Sequence, residues 1–323
     1  MQQLYGSFWK TKKVSELDLS VVVPVFNEAA GISQFLSPLR VTLDSMQLNY
    51  EVIVVDDGSV DQTVKEVLSS RWPEVRLVIL NKNVGHQAAL DAGMDSSKGR
   101  WIITMDGDGQ HPPEALPLMY HTAISEDADV VFAVSQSRVR TSPTKNLFAL
   151  AYYRMIRSLT GANIRDSQAD FRLCSRRVAD DVRDVKGERV MRLLLPTIGY
   201  TSSVIPYEMQ ERLVGEGRFG VGNQLSLAWS SILGFSAKPL RFLAGLALVA
   251  TSAALAWIIY VLWAFVSGSA LPGWTSVIAA VLALGSFLLL GQAMLASYVA
   301  ALFDMVKGKP RYTVRRTISL RDE

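Results

Sequence analysis

The sequence predicts an α/β domain built on a mostly parallel β-sheet, followed by a C-terminal pair of apolar helices. Three observations support this prediction. Short apolar, β-branched runs alternate with helical patterns, a polar cluster directly follows each run, and two long charge-free segments lie near the C-terminus. Continuous apolar runs of this length are typical of strands that are buried on both faces of a parallel sheet.

The first three predicted strands each lead into a polar loop. The runs and their loops are Leu19–Val25 with Phe26–Glu28, Glu51–Val55 with Asp56–Ser59, and Val75–Leu80 with Asn81–Gln87. In sheets of this kind, ligands bind beyond the carboxyl ends of the strands. We therefore expect the three loops to meet at one crevice.

The fourth apolar run leads into the most informative segment, Met105–Pro113, which reads MDGDGQHPP. Asp106, Asp108 and Gln110 supply hard oxygen ligands at alternate positions. This set suits Mg²⁺ or Mn²⁺ held together with the phosphates of a substrate. A simpler interpretation is an acidic pair that caps the next helix, since the two prolines that follow suit a first helical turn.

Two segments near the C-terminus, Phe242–Val266 and Trp274–Phe303, carry no charged residue. At about 1.5 Å per residue, each could cross a hydrocarbon core of roughly 30 Å. Basic residues flank the pair: Lys238 and Arg241 before it, and Lys307, Lys309, Arg311, Arg315 and Arg316 after it. The positive-inside rule then predicts a multi-pass inner-membrane protein whose catalytic domain and termini are cytoplasmic. The alternative is a buried helix of a large soluble domain.

These patterns predict four regions. They are a catalytic domain at 1–221, an interfacial amphipathic helix and linker at 222–239, two transmembrane helices at 240–306, and a basic tail at 307–323. Within the second region, Gln224–Phe235 is apolar and uncharged, which favours a helix lying in the membrane interface. Lys145–Leu159 is a second amphipathic candidate, and for both segments a core helix of the soluble domain is the alternative.

Composition excludes several classes of function. The net charge of +3 is too small to indicate nucleic-acid binding, and no basic stripe with interleaved aromatic residues is present. Cys174 is the only cysteine, which excludes an intramolecular disulfide and argues against a cysteine-based zinc site. We expect Cys174 to be an inert packing residue.

Four motifs, followed by three more, carry a resemblance to a known family. They are PVFNE at Pro24–Glu28, VVDDGSVDQT at Val54–Thr63, NKNVGHQAAL at Asn81–Leu90, DGDGQHPPE at Asp106–Glu114, DFRLCSRR at Asp170–Arg177, KPLRFLAG at Lys238–Gly245 and KGKPRY at Lys307–Tyr312. The chain resembles family 2 glycosyltransferases of the polyisoprenyl-phosphate branch, such as dolichol-phosphate mannose synthase and bacterial undecaprenyl-phosphate glycosyltransferases. The resemblance covers nearly the whole chain and implies a GT-A-type nucleotide-sugar-binding domain.

The resemblance also implies roles for particular residues. The residues expected to contact the sugar donor are Pro24, Phe26, Glu28, Asp57 and Gly107, with Arg138, Arg212 and Arg218 at positions that bind phosphate groups. Asp106, Asp108 and Gln110 are expected to hold Mg²⁺ or Mn²⁺ on the diphosphate. The family more often has lysine at the position of Arg218, within a Gly-x-Ser-Lys-Tyr pattern. His86 is expected near the donor pocket, His111 beside the metal loop and His121 on a helix surface.

Asp166, Asp170 and Arg172 are the residues that the resemblance places near the acceptor. A phosphate monoester has a second pKa near 6, so the acceptor needs positioning more than deprotonation at pH 7. Arg172 is predicted to bind the acceptor phosphate, and whether Asp166 or Asp170 acts as a base stays open. The simpler interpretation is an ion pair between Asp170 and a nearby arginine. The family inverts the anomeric centre without a covalent sugar–enzyme intermediate.

The predicted function is therefore transfer of a sugar from a UDP- or GDP-sugar to a polyisoprenyl phosphate such as undecaprenyl phosphate, for modification of cell-envelope glycans. The expected partners are the nucleotide-sugar donor, the lipid phosphate, the lipid bilayer and a second copy of the chain in a homo-oligomer, with no nucleic acid. Two alternatives remain, namely a membrane polysaccharide synthase and a non-catalytic nucleotide-sugar-binding membrane module. The usual Gln-x-x-Arg-Trp motif of the synthases is absent from the sequence.

Overall fold

The computed structural model describes residues 17–136, 168–183, 185, 191–210, 273–307 and 310–321, with single positions between 245 and 267. The chain divides into two compact units. The first contains the described residues from 17 to 210 and from 310 to 321, and the second contains those from 245 to 307. The predicted amphipathic segments Lys145–Leu159 and Gln224–Phe235 lie outside the described residues.

Strands and helices alternate along the first unit. They are β1 (Leu19–Val25), α1 (Ile32–Ser45), β2 (Tyr50–Asp56), α2 (Thr63–Ser69), β3 (Val75–Leu80), α3 (His86–Ser96), β4 (Trp101–Thr104), α4 (Leu116–Ser125), β5 (Val130–Ser135), β6 (Gln168–Ser175), α5 (Arg176–Arg183), α6 (Met191–Ile198), β7 (Ser202–Tyr207) and β8 (Val314–Ser319). A 3₁₀ turn at Pro113–Ala115 precedes α4. The second unit contains α7 (Trp274–Lys307).

The strands form one sheet in the order β7-β5-β6-β4-β1-β2-β3-β8. Strand β1 lies between β2 and β4 and is parallel to both, β2 is parallel to β3, and β5 is parallel to β7. Only β6 and β8, among the strands described, run in the opposite direction to the others. The prediction of a mostly parallel α/β sheet is confirmed.

Helices cover both faces of this sheet, which explains the continuous apolar runs in the sequence. On one face Phe35 and Leu39 of α1 pack in a cluster with alternate residues of β1. On the other face Leu90 of α3 packs in a cluster with Val22 and with Cys174 of β6. Every residue of β1 is buried, and six of its seven residues are apolar. The exception, Ser20, donates a hydrogen bond to Glu51 Oε1 at 2.6 Å. Burial also raises the pKa of the Cys174 thiol to about 11, in keeping with its expected packing role.

Strand β6, which runs antiparallel to β4, brings further residues to the carboxyl edge of the parallel strands. Its register pairs Arg172 with Thr104 and Ser175 with Trp101 of β4. The first residues of an antiparallel strand lie beside the last residues of its neighbour. Asp170 and Arg172 therefore reach the same edge as the loop that follows β4, although they are distant from it in sequence.

The C-terminal segment differs from the basic tail expected at 307–323. Residues Val314–Ser319 form β8, which pairs antiparallel with β3. Ile318 and Leu320 are buried, and Arg311 forms an ion pair with Asp91 of α3, which is 2% exposed. Ladder hydrogen bonds and two apolar side chains hold the segment in the sheet, a role that its charge content did not indicate.

The predicted multi-pass location in the inner membrane is wrong, because the helices that the structure describes do not support it. A helix needs about 20 successive apolar residues to cross a hydrocarbon core. Within the part of the chain that the structure describes, no helix combines the length and the apolar character needed to cross a membrane. The predicted two-helix transmembrane hairpin is accordingly not found there.

Candidate active site

The loops that follow β1 and β2 are joined by hydrogen bonds and form one surface at the carboxyl edge of the sheet. Asn27 adopts a φ of 53°, its N–H donates to Ser59 Oγ (2.9 Å), and its side-chain oxygen accepts from the Val60 N–H (2.9 Å). The Glu28 N–H donates to Thr63 Oγ1 at 2.9 Å. The expectation that these loops converge is confirmed.

Asp57 connects this surface to the loop that follows β3. Its carboxylate oxygens accept hydrogen bonds from the Val84 N–H (2.8 Å) and the Gly85 N–H (3.0 Å), and its own N–H donates to Val25 O. Burial raises the pKa of Asp57, although the two backbone donors oppose this shift. Asp57 therefore holds this loop in place, and the contact with the sugar donor that the resemblance implies for it stays a prediction.

Asp106, Gly107 and Asp108 follow β4 directly. A Cβ on Gly107 would lie 2.8 Å from Val25 Cγ1, so only glycine allows the loop to pack this closely on β1. Asp108 is 8% exposed, and its Oδ1 accepts the Gln110 N–H at 3.0 Å. No side chain caps the 3₁₀ turn or α4 by a hydrogen bond. The acidic pair is therefore not a helix cap, which was the simpler interpretation of this motif.

His111 supports the same loop from the interior. Its Nδ1 accepts the Asp106 N–H at 2.9 Å, so the ring proton of the neutral imidazole lies on Nε2. The ring is stacked on Phe171 at a centroid distance of 4.8 Å and meets Tyr207 edge-on at 5.9 Å. With 2% exposure, His111 acts through the backbone of Asp106.

Asp170, at the start of β6, is held by three side chains. Thr104 Oγ1 donates to the Asp170 carbonyl oxygen at 2.6 Å, and Arg172 forms an ion pair with Asp170 Oδ1. His86 Nε2 lies 3.4 Å from Asp170 Oδ2 and 3.3 Å from Asp106 Oδ1. The ion pair considered as the simpler interpretation of Asp170 is thus present.

The surroundings of His86 raise its pKa. Burial alone would lower its pKa, but the hydrogen bond to Asp170 and the negative charges of Asp106 and Asp170 outweigh burial and raise the pKa above the ordinary value. When protonated, this imidazole would offset part of the repulsion between the two carboxylates.

Several buried polar atoms around the crevice have no hydrogen-bond partner among the described residues. They are both side-chain amide atoms of Gln87, Oδ1 of Asp106, Nη1 of Arg172 and the hydroxyl of Tyr207. An unsatisfied buried polar group costs about 1–3 kcal/mol, so native structures contain few of them. Trp72, Asp91, Trp101 and Arg311 also have such atoms, but the five atoms named first belong to residues near the carboxyl edge of the sheet, where a polar ligand would satisfy them.

The described carboxylates suit a metal that is shared with a substrate. No group of three or more His, Cys, Asp or Glu side chains in the described ranges could hold a metal ion by itself. Mg²⁺ is commonly bound by one or two carboxylates together with substrate phosphates, a pattern that Asp106 and Asp108 fit. Asp106 Oδ1 lies 3.3 Å from His86 Nε2 but accepts no hydrogen bond from the described residues, so it keeps lone pairs for a cation.

The structure brings together most of the predicted site that it describes. Asp106, Asp108, Gln110, Asp170 and Arg172 lie on the loop after β4 or at the start of β6. Pro24 is buried within β1, while Phe26 and Glu28 are partly buried in the loop after it. The predicted residues outside the described ranges are Arg138, Asp166, Arg212 and Arg218.

Two further side chains, Gln87 and Tyr207, belong to this site although the sequence did not indicate them. His86, expected near the donor pocket, bridges two carboxylates, and His111, expected beside the metal loop, supports that loop. The position of the third motif after a strand pointed to the region of His86 and Gln87 but not to their contacts. No sequence signal identified Tyr207, because it lies at the end of β7 and reaches the loop only through the order of the strands.

Replacing Tyr207 by phenylalanine separates a ligand contact from a structural one. The hydroxyl is buried without a hydrogen-bond partner in the part of the chain that the structure describes. Burial, with the charges of Asp106 and Asp108, raises the pKa of Tyr207 to about 12. We expect Tyr207→Phe to unfold in urea at the same concentration as the native protein or a higher one, since it removes an unsatisfied group worth about 1 kcal/mol. Affinity for a nucleoside diphosphate with Mn²⁺ should fall. Lower stability together with unchanged affinity would show that the hydroxyl has a structural partner.

Comparison with known proteins agrees with the class of enzyme that this fold and site define. Residues 20–183 match the family model described as Glycosyl transferase family 2. The chain belongs to this family and is a glycosyltransferase, so the family resemblance seen in the sequence is confirmed.

Two relatives extend along nearly the whole chain. The uncharacterized glycosyltransferase YkcC of Bacillus subtilis (strain 168) is 31% identical over 313 residues, which cover 95% of this chain and 96% of that protein. The prophage bactoprenol glucosyl transferase homolog of Escherichia coli (strain K12) is 29% identical over 306 residues, covering 93% and 99%.

A solved structure supports the fold. Glucosyl-3-phosphoglycerate synthase from Mycobacterium tuberculosis, in complex with Mn²⁺, UDP-glucose and phosphoglyceric acid, matches with a TM-score of 0.51 at 17% identity. The match covers 68% of this chain and 78% of that chain. At this identity, the likeness concerns the GT-A-like fold alone.

Proposed function

We propose that the protein transfers a sugar from a nucleotide-diphosphate sugar to a polyprenyl phosphate. One observation supports the proposal above all: the Asp106–Asp108 loop lies close to Asp170 and Arg172 at the carboxyl edge of the sheet. Buried polar atoms without a hydrogen-bond partner among the described residues surround this place. The bactoprenol glucosyl transferase homolog of Escherichia coli, which aligns over almost its full length, supports the choice of a polyprenyl acceptor.

On the side of the sugar donor, Asp106 and Asp108 would hold Mg²⁺ or Mn²⁺ together with the diphosphate. The metal, when bound, stabilises the negative charge that develops on the departing nucleoside diphosphate. His111 keeps the Asp106 backbone in position, and Gly107 allows the loop to lie on β1. The fold relative from Mycobacterium tuberculosis contains Mn²⁺ and UDP-glucose, which supports a UDP-sugar as the first donor to test.

On the acceptor side, the nucleophile is a phosphate oxygen that is already ionised at pH 7, because the second pKa of a phosphate monoester is near 6. Its attack on the anomeric carbon inverts that centre without a base being required. Arg172 is 1% exposed, with Nη2 on Asp170 and Nε 3.4 Å from Thr104 Oγ1, which leaves Nη1 as the nitrogen that would bind an acceptor oxygen. In this scheme Asp170 orients Arg172.

Several finer assignments remain predictions. They are phosphate binding by Arg138, Arg212 and Arg218, the role of Asp166, the choice between Mg²⁺ and Mn²⁺, the limits of the catalytic domain at 1–221, and the bilayer and a second copy of the chain as partners.

The test is a transfer assay with the full-length protein. Purified protein is incubated with Mn²⁺ or Mg²⁺, a radiolabelled nucleotide sugar from a panel that begins with UDP-glucose, and undecaprenyl phosphate in detergent. We expect label in a butanol-extractable lipid that releases a single sugar on mild acid hydrolysis. Product should be absent without the lipid phosphate and in the presence of EDTA.

The same assay distinguishes the alternatives. A polysaccharide synthase would give labelled polymer that butanol does not extract. A non-catalytic module would bind a nucleotide sugar in calorimetry and form no product with any member of the panel. Either result would refute the proposed transfer.

A further inference from the structure

His86 occupies a position that the transfer chemistry described above leaves without a role. It is the first residue of α3, and its Nε2 faces Asp106 Oδ1 at 3.3 Å and Asp170 Oδ2 at 3.4 Å. Both distances start from one nitrogen, so the two carboxylate oxygens cannot be farther apart than their sum, 6.7 Å. One imidazole therefore links the metal loop after β4 to the acceptor side of β6.

The backbone before His86 is built to hold this position. The two residues that precede it, Val84 and Gly85, donate their N–H groups to the buried carboxylate of Asp57. Gly85 adopts a φ of 94°, in the left-handed region that a residue with a side chain rarely enters. Asp57 is anchored in turn through its N–H to Val25 of β1. The imidazole is thus presented by a fixed loop and the first turn of a helix.

The two carboxylates lie at nearly equal distances from His86 but differ in their other contacts. His86 Nε2 lies 3.3 Å from Asp106 Oδ1 and 3.4 Å from Asp170 Oδ2, both within ion-pair distance. Asp170 has Arg172 on its other oxygen, so both of its oxygens are engaged by nitrogen donors. An Asp170 held in this way is oriented on both sides and is poorly placed to remove a proton.

We propose that His86 is a positioning residue, which holds Asp170 and the Arg172 bound to it at a set distance from the metal-binding Asp106. The inference rests on the proposed transfer reaction for its functional consequence, but the bridge itself is a contact that can be measured without any reaction. The rate of transfer depends on how the acceptor phosphate is positioned against the sugar donor, and a misplacement of about 1 Å is enough to lower it.

The bridge is tested first by a stability cycle on the full-length protein. Urea unfolding is measured for the native chain, His86→Ala, Asp170→Asn and the double variant. Contacting residues give non-additive effects, and we expect a coupling of at least about fivefold in the unfolding equilibrium constant. His121→Ala, on the exposed side of α4, serves as the matched control and should be additive with Asp170→Asn. Additive effects of His86→Ala and Asp170→Asn would overturn the bridge.

The functional consequence is tested with conservative variants. Glutamine can place an amide N–H near the position of Nε2, and asparagine cannot reach it. We expect His86→Ala and His86→Asn to lower kcat by about tenfold or more with the KM for the sugar donor within about threefold, and His86→Gln to recover most of kcat. Mn²⁺ titration in the presence of a nucleoside diphosphate should show affinity no weaker than in the native protein.

Two results would overturn the positioning role. They are a glutamine variant as inactive as the alanine variant, and a loss of Mn²⁺ affinity that parallels the loss of turnover. If the native chain transfers no sugar to undecaprenyl phosphate, the proposed function fails, and the stability cycle still decides whether the bridge exists.

Discussion

Replacing Asp106 or Asp108 by asparagine is expected to lower turnover by at least about 10³-fold. Metal assistance to the leaving group is worth several kcal/mol, and each 1.4 kcal/mol is a factor of ten in rate. Asparagine keeps the size of the side chain but loses its charge. The backbone hydrogen bond from the Asp106 N–H to His111 does not depend on that side chain. Stability in urea should therefore change little while Mn²⁺ affinity falls.

The measurement is initial transfer rate together with Mn²⁺ titration, and chelation by EDTA should reproduce the loss in the native protein. Glu114→Gln is the matched control, since it removes one negative charge from an exposed residue close to the same loop. It should keep nearly native turnover. Full activity after exhaustive chelation, or equal losses in the control, would contradict metal binding by this loop.

Removal of residues 310–323 is expected to destabilise the first unit severely, although these residues lie far from its other strands in sequence. Strand β8 covers the edge of β3, and Ile318 of β8 and Leu320, just after it, are buried. Burial of each such side chain is worth about 1.5–3 kcal/mol, and the Arg311–Asp91 interaction adds about 1.5–3. Together these losses are comparable with the whole stability of a typical domain, about 5–15 kcal/mol. The exposed edge of β3 also favours aggregation.

Arg311→Met isolates one part of this effect. The variant should lose about 1.5–3 kcal/mol in urea unfolding, because Asp91 is 2% exposed and loses a charged partner. Arg315→Met removes the same charge from an exposed position of β8 and should change the free energy of unfolding by less than about 0.5 kcal/mol. Equal effects of the two variants would show that the ion pair contributes nothing specific. A soluble, folded deletion variant would show that β8 is dispensable.

The sequence by itself determined the parallel part of the sheet and the location of its ligand edge. Strands such as β1 are buried on both faces, and this burial requires the continuous apolar runs from which they were predicted. Polar residues that directly follow such runs must lie at the carboxyl edge. The positions of Asp106 and Asp108 at this edge could therefore be predicted from the sequence alone.

Only the tertiary structure decided how distant segments meet. The contact of Asp170 with His86 depends on β6 running antiparallel beside β4, and no local pattern encodes the direction or the neighbour of a strand. The hydrogen bonds from the backbone before His86 to Asp57 were likewise not predictable from the motif, because they join loops that follow two different strands.

The C-terminal region shows the limit of reasoning from composition. Charge counts describe how a segment interacts with water and with surfaces, but a strand forms when its backbone finds an unpaired edge. The six residues of β8 pair with the edge of β3. Ile318 is buried in the core, and Arg311 forms an ion pair with Asp91. Pairing of this kind depends on the arrangement of the whole sheet, so it becomes visible only when the strands are assembled.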